Sequence, residues 1–151
     1  MGIFDKLKNA ANFVTGGGAS VELAIPDGNL GSPLIATVHI KTKKDNLEVK
    51  NVYLNIRCSE TTKEEISTED GPEIKENEEV LYDNKLIIAE GSTFEGGKEY
   101  SFSKEIVLPQ DSKATMSENN VDIIWEFQAG LDVKGNDPDS GWIKVNLTNP
   151  Q

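Results

Sequence analysis

The sequence predicts an all-β antiparallel sandwich, and three observations carry that expectation. The first is alternation over residues 121–133. Val121, Ile123, Trp125, Phe127, Ala129, Leu131 and Val133 are all apolar, while among Asp122, Ile124, Glu126, Gln128, Gly130 and Asp132 only Ile124 is strongly so. A helix would scatter the first set around its circumference; a strand collects it on one face. The second is recurrence: shorter alternating runs follow one another along the chain, parted by Gly, Pro, Asn and Asp. The third is that no helical stripe appears after residue 14. Strands with one buried and one wet face belong to antiparallel sheets, and seven or more of them make a sandwich.

The elements follow in order. Ile3, Phe4, Leu7, Ala11 and Val14 stand at i, i+1, i+4, i+8 and i+11, which predicts a short amphipathic helix over residues 3–14. Gly16-Gly17-Gly18 ends it and acts as a hinge. The chain thus divides into a helix and glycine hinge at 1–18 and a single sandwich domain at 19–151. Val21, Leu23 and Ile25 form a first strand, closed by Pro26. In the second, Leu34, Ala36, Val38 and Ile40 point inward and His39 outward. The third buries Val52, Leu54, Ile56 and Cys58.

Residues 60–79 then change character, with nine acidic residues against two lysines. So polar a segment buries little, and a long mobile loop or an irregular hairpin broken at Gly71-Pro72 is expected. Val80 to Ala89 is a fourth strand. Tyr100, Phe102, Ile106 and Leu108 alternate inward up to Pro109, with Lys104 interrupting the set as at a bulge or strand end. Residues 110–120 read as polar loop. A last strand sends Ile143, Val145 and Leu147 inward and Trp142 outward.

Composition narrows the function. The 151 residues suffice for one domain with a real core. Fifteen basic against 26 acidic residues give a net charge of −11, a field that repels nucleic-acid phosphates and anionic lipid and favours basic partners. A lone cysteine permits no internal disulfide, no apolar run reaches membrane-spanning length, and the first residues lack the apolar core of a signal peptide. A cytoplasmic protein is expected. Catalysis is not: the single histidine, His39, points outward, and Cys58 points inward as a small hydrophobe. Asp132, Asn136, Asp137 and Asp139 lack the glycine and glutamate of an EF-hand loop, so a polar turn is expected there, and neither metal nor cofactor is implied.

Two stretches carry a resemblance. GKEYSFSKEIVLP at 97–109 is a strand ending in Leu-Pro, and after a serine-containing loop VDIIWEFQAGLD at 121–132 is a long strand ending in an Ala-x-Leu-Asp-like turn. Together they resemble arrestin-like domains. The segment ahead of the glycine run is similar to the bacterial sporulation-control proteins of that group. The resemblance covers most of residues 20–147 and implies an arrestin-like, immunoglobulin-like sandwich serving as a non-enzymatic adaptor or scaffold with a regulatory role. There are departures. Leu30-Gly31-Ser32-Pro33 and Ala36 stand where a Pro-Gly-Glu turn and a glycine are usual, the chain has room for one sandwich rather than two, and no charged polar core can be placed.

These readings converge on a protein partner with a basic or extended segment that adds along a sheet edge. Ile3, Phe4, Leu7, Ala11 and Val14 are the expected docking residues, with their acceptor left open between the chain's own sandwich, a partner protein and a second copy. The alternative is a peripheral membrane protein using the same helix. Twelve residues with two lysines make a weak anchor, and the acidic body opposes anionic lipid.

Overall fold

The computed structural model describes residues 10–13 and 18–149, and every regular element among them is a strand. In chain order these are β1 (Ala10–Phe13), β2 (Ala19–Ala24), β3 (Gly28–Asn29), β4 (Pro33–Thr42), β5 (Leu47–Thr68), β6 (Gly71–Phe94), β7 (Glu99–Val107), β8 (Met116–Glu118), β9 (Val121–Asp132), β10 (Ile143–Val145) and β11 (Leu147–Thr148). One sheet has the order β1-β2-β4-β7 and the other β10-β9-β5-β6, with β8 also pairing β9. All pairings in these two sheets are antiparallel; β11 and β3 form a short parallel pair that ties the end of the chain to the loop after β2.

The core lies between the two sheets, filled by the positions that alternation marked. Trp125, Phe127, Ala129 and Leu131 of β9 are fully buried, as are Val38 and Ile40 of β4 and Leu54 and Ile56 of β5. Phe102 is half-buried and stacks on the buried Phe94, ring centres 6.0 Å apart. On the outer face of the second sheet, Tyr53 lies over Gly130 so closely that a Cβ there would fall 2.4 Å from its ring. Glycine at position 130 is a packing requirement, because the polar turn after β9 folds back over this face and covers Tyr53.

Four local expectations are corrected. Where the helix expected over 3–14 enters the described residues, it is not formed: Ala10–Phe13 is extended and pairs antiparallel with Ala24–Val21. The edge of β2 offers an unpaired row of main-chain groups, and pairing there satisfies more of them than one more helical turn would. Residues 3–9 and 14 lie outside the described residues. The acidic stretch 60–79 is a regular ribbon, paired continuously from Glu60↔Glu79 to Thr68↔Gly71, and it turns at Glu69-Asp70 rather than at Gly71-Pro72. Poor burial does not prevent order here, because the ribbon prolongs the β5–β6 pairing of the body. Its ladder also sets Lys63 opposite Glu76 and Glu64 opposite Lys75. Gly71 holds φ +111°, which closes this tight turn and suits only glycine without strain.

Lys104 marks no bulge. The β4–β7 register runs unbroken from Pro33↔Val107 to Lys41↔Glu99. Because β7 is an edge strand, its inward position 104 lies at the open rim of the sandwich, where a lysine stays solvated and discourages edge-to-edge pairing. The loop 110–120 contains β8, joined to β9 by Asn119-Asn120. Their φ values of 53° and 63° fit the twist of a two-residue hairpin.

Candidate interaction surface

The docking residues expected at the N-terminus fall only in part among the described residues. Ile3, Phe4, Leu7 and Val14 lie outside the described residues, and Ala11 sits on β1 at the register position opposite Leu23. The distinctive surface is built instead where β5 and β6 leave the sandwich.

β5 is flanked by β6 and β9 from Asn51 to Thr62; beyond Thr62 only β6 remains beside it. The β5–β6 ribbon therefore projects past the body, with residues 63–67 and 72–80 exposed. The same alternation that buries Val52, Leu54, Ile56 and Cys58 continues into Glu60, Thr62, Glu64 and Ile66. The inner face of the sheet thus becomes an acidic shelf once the opposite sheet ends. Ile74 and Val80 add exposed apolar surface along the ribbon.

The loop after β7 crosses the base of this shelf. It is pinned by the indole of Trp125, whose Nε1 donates to the main-chain oxygen of Lys113 at 2.8 Å. Lys113 in turn donates its ammonium to the Glu60 carboxylate at 3.1 and 3.5 Å. Three depressions meet around this pair. A cavity of about 270 Å³ lies between Cys58, Leu81, Tyr82, Trp125 and loop residues 111–113. A broader hollow of about 420 Å³ is lined by Met116, Ile123 and Thr115, and one of about 190 Å³ by Thr62, Asn77 and Glu79.

The remaining candidates from the sequence are occupied structurally. His39 points outward from β4, 3.1 Å from Glu99, while Cys58 faces the core from the other sheet, so the two form no nucleophile–base pair. In the turn after β9, Asp137 accepts from the Tyr53 hydroxyl at 2.9 Å and the Val133 amide at 3.1 Å, and Asp139 accepts from the Gly141 amide. Asp132 accepts from the Asn51 side chain. Those carboxylates fasten the turn over Tyr53. No group of three metal-ligating side chains occurs among the described residues, and no helix there is long and apolar enough to cross a membrane.

Burial pushes the Cys58 thiol up to about 11, aided by the nearby Glu60 charge. Burial, then the hydrogen bond to Asp137, raises the Tyr53 phenol well above its usual range. Both groups are neutral when protonated, and the fold holds their protons more tightly than the unfolded chain does. Their contribution to stability is complete below the ordinary thiol value of 9.0 and is lost as pH rises toward the folded values. The urea midpoint is expected to be level between about pH 7 and 8 and to fall by pH 10.5; a midpoint that rises over that interval would refute this linkage.

Sequence reasoning missed Glu60, Tyr82, Asp111 and Lys113. One signal was available: the inward series 52, 54, 56, 58 runs on into Glu60, Thr62 and Glu64 without a break in period.

No family model matches the chain, and no curated protein matches its sequence. Among solved structures, the crystal structure of Spo0M, a sporulation control protein from Bacillus subtilis, is similar with a TM-score of 0.63 at 19% identity, over 89% of this chain and 51% of that one. This chain spans about half the length of that protein. The likeness shows the fold, an arrestin-like β-sandwich.

Proposed function

We propose that this chain is a non-enzymatic adaptor module that captures an extended, basic segment of a protein partner along the β5–β6 ribbon. The observation that carries this reading is the ribbon itself. It is fully paired, it projects beyond β9, and it concentrates nine of the chain's 26 acidic residues in twenty positions. An ordered acidic shelf costs a binding segment less than a disordered one, because its own ordering is complete before the partner arrives. The free edge of β6 lies alongside and offers main-chain groups to an added strand. The likeness to a sporulation control protein supports a regulatory setting. The absence of any disulfide requirement, with one cysteine in the chain, fits a cytoplasmic one.

The test is fluorescence anisotropy with a labelled decapeptide of alternating serine and arginine. Binding is expected to weaken steeply as salt rises from about 50 to about 500 mM. The double variant Glu64→Lys, Glu73→Lys should weaken it further, and an acidic decapeptide should not bind. Affinity that grows with salt, or that ignores the double variant, would overturn the reading.

A further inference from the structure

We propose that the cavity beneath the loop after β7 receives one arginine side chain of the partner segment. This inference rests on the ribbon reading above and names its anchor. The cavity has a buried floor of Cys58 and Trp125, a wall of half-buried Leu81 and Tyr82, and Asp111 at an exposed rim beside Ser112. Tyr82 and Trp125 lie with ring centres 5.5 Å apart and planes tilted by 46°. At about 270 Å³ the space falls below the roughly 300 Å³ at which drug-sized ligand sites begin, and it suits a single long side chain.

Its chemistry selects a cation. Asp111 is exposed and lines the cavity, so its carboxylate is available at the mouth. Lys113 lines the cavity too, but its ammonium is drawn away to Glu60 at 3.1 Å.

The molecule contains the filled counterpart of this arrangement. On the outer face of the same sheet, Arg57 stacks its guanidinium 4.3 Å from the centre of the Trp142 ring and reaches the Glu126 carboxylate at 3.4 Å. Aromatic ring and carboxylate there hold an arginine supplied by the chain. At the cavity, Tyr82 and Asp111 supply an aromatic ring and a carboxylate over the buried Trp125. Arginine fits better than lysine because its planar head stacks on a ring and binds a carboxylate through two nitrogens at once.

The experiment compares two decapeptides of equal charge, both alternating serine and lysine, one with its central lysine replaced by arginine. The Trp142→Phe background leaves Trp125 as the only tryptophan. The arginine peptide is expected to bind at least tenfold more tightly and to change the Trp125 emission. Asp111→Asn and Tyr82→Leu should abolish the preference while leaving the salt-dependent remainder. Asp111 is exposed, so its variant keeps the test decisive even if Tyr82→Leu fails to fold. Equal affinity for the two peptides overturns the anchor and leaves the ribbon reading standing. Failure of both peptides to bind overturns the two together.

Discussion

Trp125→Ala is expected to lower the stability of the domain by about 3–5 kcal/mol, a large share of the roughly 5–15 kcal/mol that holds a domain of this size together. Trp125 is fully buried on β9, between β10 and β5, at the register positions of Val145 and Cys58. Its indole also anchors the crossing loop through the bond to the Lys113 oxygen. Truncation therefore does two things at once. It opens a void that joins the existing cavity beside Cys58 and Tyr82, and it deprives the loop of its donor. A well-packed interior collapses only partly around such a void, which is why the cost exceeds simple transfer. Trp125→Phe separates the terms: it keeps most of the apolar volume and loses the hydrogen bond, so about 1–2 kcal/mol is expected. Urea denaturation measures both. An alanine variant with the parent's midpoint would show that Trp125 does not sit in the core.

What the sequence made legible follows from period two. Wherever a strand had one dry face, alternation named the buried set: Val21 and Leu23, Leu34 to Ile40, Val52 to Cys58, Ile123 to Leu131. It failed where burial is not what orders the chain. The ribbon of β5 and β6 is held by main-chain pairing, which composition does not report, so 60–79 reads as a mobile loop or at most an irregular hairpin. Ala10–Phe13 follows the edge of β2, a long-range template invisible to a local stripe of apolar residues. Lys104 interrupts the apolar series without interrupting the strand, because an inward position on an edge strand faces an open rim rather than a closed core. The cavity needed contacts between residues far apart in sequence. Tyr82, Asp111 and Trp125 come from β6, a loop and β9, and no spacing within any one of them announces the others.

Excising the outer ribbon is expected to separate binding from folding. Residues 64–75 can be replaced by Asn-Gly, which rejoins the strands at the Lys63↔Glu76 pair with a two-residue turn suited to the sheet's twist. The removed segment holds five acidic residues and one lysine, so the net charge moves from −11 to −7. None of it contributes to the core, and β9 has already ended at the level of Thr62. The shortened chain should melt within a few degrees of the parent, and its affinity for the serine–arginine decapeptide should fall at least tenfold, about 1.4 kcal/mol. A second variant keeps the ribbon and converts the five acidic residues of its outer segment, at positions 64, 65, 69, 70 and 73, to their amides, leaving Glu60, Glu76, Glu78 and Glu79 in place. That chain retains the paired strand and its edge with a weaker field, its net charge moving from −11 to −6. If charge steers and the ribbon edge holds, the amide variant shows a shallower salt dependence and keeps a residual affinity, while the excised one loses the outer edge as well and binds more weakly still. Full affinity in the excised chain would place the binding surface elsewhere on the sandwich.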